Sequence, residues 1–192
     1  MELLNITVFG EAVRLMPTRT LYWERTRTLF AANMALDDEF GASESPNRDA
    51  IHHLRLAVLT VEPKRIIMLG SWFTPTVSSI WRLHFQQFLE EPLAKLKLMQ
   101  VGGFVSPYLA DFTIVHATAP TTGPKFVLSD HPMLAENGYV LCPSSDHLPQ
   151  FRFTETVGFL PSLCQRDSAP ADETSEGTVY AIDLAQETIV SC

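Results

Sequence analysis

The run Arg65-Ile66-Ile67-Met68-Leu69-Gly70-Ser71-Trp72 constrains this chain more than any other stretch. Four consecutive apolar residues, then a glycine, then a polar residue, suit a strand buried on both faces at the centre of an α/β sheet. In such sheets the chemistry gathers just past the carboxyl ends of the strands. Ser71 occupies that place. So do Asn33, after Thr28-Leu29-Phe30-Ala31-Ala32, and Gly103, after Leu98-Met99-Gln100-Val101. Three strand ends therefore deliver neutral residues to one rim.

The segments around this strand predict a parallel β-α-β-α-β core. Asn5-Ile6-Thr7-Val8-Phe9 and Ala12 to Met16 flank Gly10-Glu11 as a hairpin, and Leu21-Tyr22-Trp23 with Thr28 to Ala32 forms a second hairpin turning near Arg25. The acidic, small-residue stretch Asp37 to Asn47 reads as a loop. Ile51, Leu54, Val58 and Val61 keep helical spacing up to Pro63. A second helix carries Trp81, Phe85, Phe88 and Leu89, with Ser78 or Ser79 as its cap and Glu91-Pro92 as its end. From Phe112 onward the strands crowd together (Phe112 to His116, Phe126 to Ser129, Phe151 to Thr154, Thr178 to Leu184, Thr188 to Val190), which predicts a second, more antiparallel sheet. Residues 166–177, rich in Asp, Glu, Ser, Ala and Pro, read as a flexible surface loop.

At 192 residues the chain is expected to form one domain spanning 1–192, and 46% hydrophobic with 19% charged residues describes a globular chain. A net charge of -8 opposes a broad phosphate-binding surface, so direct nucleic-acid binding is not expected. Apolar segments fall short of the roughly 20 residues of a membrane span, and the start Met1-Glu2-Leu3-Leu4-Asn5 has no basic signal region, which points to the cytoplasm. Cys142, Cys164 and Cys192 are widely spaced reduced thiols.

Few polar residues form a constellation. His52 and His53 are helix neighbours and do not face one another. His84 stands alone in the second helix, Asp37-Asp38 reads as a solvated turn, and Gly102-Gly103 is a tight strand exit rather than a phosphate cradle. His116 and His131 are the better candidates, each following a predicted strand of the second sheet, with Asp130 and Asp111 nearby in sequence. Two imidazoles alone fall short of the three or four ligands of a stable metal site.

The opening Gly10 to Pro17, Leu21-Tyr22-Trp23 and Arg27 to Ala32, with Leu148 to Phe153, Phe159-Leu160-Pro161 and Gly177 to Ile182, resembles the calcineurin-like metallophosphoesterases. Within them it is most similar to the small bacterial family associated with a DNA ligase and helicase operon. The resemblance implies an α/β, metallophosphoesterase-like two-sheet β-sandwich flanked by helices. It also locates the family's metal motifs. The family's Asp-x-His falls on Asn33-Met34-Ala35, its Gly-Asp on Gly70-Ser71, and its Gly-Asn-His-Asp on Gly102-Gly103-Phe104-Val105. A later histidine falls on His116, and Gly-His-x-His on Asp130-His131-Pro132-Met133.

Two divalent ions about 3.5–4 Å apart need anionic bridging and capping ligands. With Asn33, Ser71 and Gly103 in those places, and Met34, Ala35, Phe104 and Met133 adding apolar bulk, the expectation is a pseudoenzyme with no catalytic residues, metal or cofactor. Its degenerate rim comprises Asn33, Ser71, Gly103, His116, Asp130 and His131. By the family's operon association a protein partner is expected, such as a DNA-repair ligase, helicase or nuclease. Trp72, Phe73, Phe104 and Tyr108 are the aromatics expected to be exposed for docking it. The alternative is a residual metal-dependent phosphoesterase or nuclease around His116, Asp130 and His131 with Asp111. A third reading is a small-ligand sensor using Asn33, Ser71 and the Gly102-Gly103 amides.

Overall fold

The computed structural model describes residues 3–8, 10–34, 36–37, 45–90, 96–101, 113–114, 125–129, 139–141, 151–153, 158–163, 179–183 and 188–191. They form a mixed α/β fold with two sheets. The first sheet has seven strands in chain order: β1 (Leu4–Val8), β2 (Glu11–Met16), β3 (Thr20–Trp23), β4 (Thr28–Ala32), β5 (Arg65–Leu69), β6 (Lys97–Val101) and β7 (Thr113–Ile114). Strands β1 to β4 are antiparallel hairpins, as the turn residues predict, and Gly10 takes the positive φ of 80° that their first turn requires. From β4 to β7 the pairing is parallel, with helix α1 (Ser45–Val61) between β4 and β5 and α2 (Ser79–Glu90) between β5 and β6.

Alternate residues of the central strands enter two different cores. Leu29 and Ala31 of β4, Ile66 and Met68 of β5, and Leu98 of β6 join Leu54, Val58, Trp81 and Phe85 of the helices. Their neighbours Phe30 and Ala32, Ile67 and Leu69, and Met99 join a second cluster on the opposite face. Both faces of β5 are thus buried, which is why its sequence lacks polar alternation. The second cluster also holds Phe151 and Leu160 from the later part of the chain.

That later part forms the second sheet, in the order β13 (Thr188–Ser191), β12 (Val179–Asp183), β8 (Lys125–Ser129), β11 (Gly158–Phe159), β10 (Phe151–Phe153) and β9 (Tyr139–Leu141). Its pairs are antiparallel except β11 with β8. Among the described residues no helix is long and apolar enough to cross a membrane.

Four expectations are corrected. Strand β7 pairs with β6 in the first sheet, so Thr113 and Ile114, just before His116, do not belong to the second sheet. Strands β9 and β11 were not foreseen, because two or three residues are too few to show a period. Helix α1 begins at Ser45 rather than after Asn47, since Pro46 fits a first helical turn, where its missing N–H costs nothing. Finally, Asp37 is not a solvated turn: it is 5% exposed, its carboxylate accepts from Thr76 Oγ1 at 2.7 Å, and its backbone is bracketed by the Asn47 amide. The 166–177 stretch lies outside the described residues.

Candidate functional site

The parallel register pairs Ala32 with Leu69, so the chain leaves β4 and β5 side by side at the carboxyl edge of the sheet. Asn33 is the first residue beyond β4, and Ser71 follows Gly70 beyond β5. Both are half-buried. Gly70 is buried with φ 84°, a left-handed conformation that glycine adopts without Cβ strain and that turns the chain away from the strand. Asn33 is also left-handed, at φ 41°, which asparagine tolerates better than most residues.

The Asn33 position is tied down on two sides. Its N–H donates to Leu69 O at 2.8 Å, extending the β4–β5 ladder by one step. Its carbonyl accepts from Ser162 Oγ at 2.8 Å. Ser162 forms a parallel bridge with Ala32, and Leu163 N–H donates to Ala32 O at 2.8 Å. Arg19, itself left-handed at φ 62°, donates from Nη1 to Ser162 O at 2.9 Å. A segment just past β11 therefore crosses the end of β4 and is held there by neutral hydrogen bonds and one guanidinium.

Past this point the two loops fold inward together. Leu36 N–H donates to Trp72 O at 3.1 Å, and Thr74 N–H donates to Leu36 O at 2.9 Å, so Leu36 and Phe73 pair as a bridge. Met34, Leu36, Trp72 and Phe73 all enter the helix-side core. Trp72 and Phe73 are 1% and 2% exposed, which corrects the expectation that they face a partner. Burial of these rings against Phe85, at centroid separations of 5.3 and 5.2 Å, gains more than leaving them in water. Phe104 and Tyr108 lie outside the described residues.

Of the predicted rim, the structure brings Asn33 and Ser71 together; Gly103, His116, Asp130 and His131 lie outside the described residues, as do Asp111, Ala35 and Met133. Ser162 and Arg19 at this edge were missed. No local signal marks them, because Ser162 is 129 residues from Asn33 in the chain. A pair of divalent ions does not fit the two strand ends that are described, because Asn33 and Ser71 bring no negative charge to offset the repulsion between the ions. Among the described residues no group of three or more His, Cys, Asp or Glu is placed to hold a metal ion.

The helix histidines have separate surroundings. His52 is exposed, and His84 is exposed against the ring of Trp81 at 5.5 Å. His53 is half-buried, and its buried Nδ1 has no hydrogen-bond partner among the described residues. Burial holds its pKa below the usual 6.5, and the charge of Arg19 adds to that effect against the opposing pull of Asp49.

No protein-family description matches the chain, and no curated protein matches it by sequence. Among solved structures it is similar to the crystal structure of the nuclease MPE from Pseudomonas putida, with a TM-score of 0.62 over 93% of this chain and 96% of that one. At 16% identity the likeness is one of fold.

Proposed function

We propose that this chain is a phosphoesterase-fold protein, built as two sheets packed face to face, whose strand-end rim no longer performs phosphoester chemistry and which acts as a binding or scaffold subunit. One observation carries the reading: the ends of the two central strands, β4 and β5, present Asn33 and Ser71 where a dinuclear site needs carboxylates. The segment around Ser162, bonded to Ala32 and Asn33, is consistent with a rim kept for shape rather than for metal. The operon association of the family that the sequence resembles is what suggests a setting in DNA repair, with a ligase, helicase or nuclease as the partner class.

Metal analysis of untagged protein, paired with a manganese-supplemented phosphodiester hydrolysis assay, tests this reading. The expected result is substoichiometric metal and no hydrolysis above background. Near-stoichiometric manganese, iron or zinc together with ester cleavage would overturn it and would transfer the chemistry to His116, Asp130 and His131.

A further inference from the structure

Strand β1 closes one edge of the first sheet, bonded to β2 on one side and, among the described residues, to no strand on the other. The direction of its backbone groups follows from its neighbour. Met16 O accepts from Arg19 N–H at 3.0 Å in the turn toward β3, so Met16 and, by alternation, Arg14 and Ala12 direct their backbone groups at β3. Glu11, Val13 and Leu15 then bond to β1, through their register partners Val8, Ile6 and Leu4. The two residues in between, Asn5 and Thr7, point their N–H and C=O groups out of the sheet edge.

This edge lacks the usual guards. Sheet edges are ordinarily blunted by charges, proline, a bulge or shortness. Leu4-Asn5-Ile6-Thr7-Val8 has no charge and no proline, and its register with β2 runs without a bulge. The opposite edge strand, β7, has only two residues. The charges of β2 beside this edge are engaged within the chain, Arg14 with Glu24 and Glu11 with Arg25. The strand is also complementary to itself. Asn5 and Thr7 are exposed, while Leu4 and Ile6 are half-buried against the second core cluster. When two copies meet antiparallel about a two-fold axis at Ile6, Leu4 opposes Val8 and Ile6 opposes Ile6 on the core face. Asn5 opposes Thr7 on the other face, so apolar meets apolar and neutral polar meets neutral polar. In this register the Asn5–Thr7 pairs are the ones whose outward groups meet, and each exchanges two hydrogen bonds.

We propose that β1 pairs with β1 of a second copy of this chain, joining two first sheets edge to edge in an isologous dimer. The contact is one strand wide, smaller than the roughly 1,600 Å² of a standard interface, so the dimer is weak and forms with rising concentration. It uses none of the rim residues, and the metal assay does not decide it.

The test is sedimentation equilibrium on the full chain from about 1 to about 200 μM, where a micromolar dimer converts from mostly monomer to mostly dimer. Asn5→Lys with Thr7→Lys sets like charges opposite one another and weakens the dimer about tenfold, as does Asn5→Glu with Thr7→Glu. These exposed positions leave the circular dichroism spectrum unchanged, and an equimolar mixture of the two variants associates again. Ile6→Cys places two thiols in the central pair, with Cα atoms about 4.5 Å apart, and cross-links under mild oxidation. Asn5→Cys, out of register with its own copy, does not, nor does the native chain with Cys142, Cys164 and Cys192. Leu59→Asp with Leu83→Asp, exposed on the two helices that line a cleft of about 540 Å³, leaves the dimer intact. A monomer at every concentration, a dimer indifferent to the β1 charges, no association in the mixture, cross-linking of Asn5→Cys as readily as Ile6→Cys, or loss of the dimer in the leucine variant would each overturn the proposal.

Discussion

At the scale of single residues, the Asn33 backbone depends on a partner that is distant in the chain. Replacing Ser162 with alanine removes the hydroxyl that satisfies Asn33 O and leaves a half-buried carbonyl short of a donor. A net hydrogen bond contributes about 1 kcal/mol, so Ser162→Ala is expected to lower the melting temperature by roughly 2–4 °C in a chain of this size. Calorimetry checks this, and an unchanged midpoint would show that the segment is not held by that bond. His53 makes a pH-dependent contribution of predictable sign. Its folded pKa lies below its ordinary 6.5, so the unfolded chain takes up the proton first. The stability it supplies is therefore present above that value and is lost as pH falls through it toward the folded pKa. Urea unfolding at about pH 7 and about pH 5 should show a shallower loss for His53→Gln than for the native chain.

At the scale of elements, the helices and central strands are legible because each carries its own period. Helix α2 repeats Trp81, Phe85 and Phe88 on one face, and those residues are the buried ones. Phe85 is 1% exposed and meets Trp72, Phe73 and Phe88 within 5.7 Å, centroid to centroid. Phe85→Ala should cost about 3–5 kcal/mol, lowering the urea midpoint without changing the slope. A smaller loss would mean that the cluster collapses to fill the gap. Where the period is absent the reading fails. Gly158–Phe159 and Tyr139–Leu141 are strands only because neighbours recruit them, and Thr113–Ile114 joins the first sheet because β6 offers an open edge. Asp37 looked solvated because its composition is that of a turn; Thr76 and Asn47, supplied by other elements, bury it.

At the scale of the whole molecule, fold and chemistry separate. The neutral residues that end β4 and β5 could be read directly from the chain, and the parallel register then made them neighbours. The likeness to a solved nuclease at 16% identity concerns the backbone framework, which core patterning can preserve while site residues change. What the sequence by itself determined is local: the two-faced burial of Ile66 to Leu69, the hairpins, the helix faces and the absence of charge at Asn33 and Ser71. Only the tertiary structure decided which sheet each short strand joins, that Trp72 and Phe73 turn inward, that Ser162 crosses the end of β4, and that a cleft opens between α1 and α2. The physical reason is range. Periodicity and side-chain charge are written in neighbouring residues, whereas burial, edge pairing and surface complementarity depend on residues brought together from far along the chain.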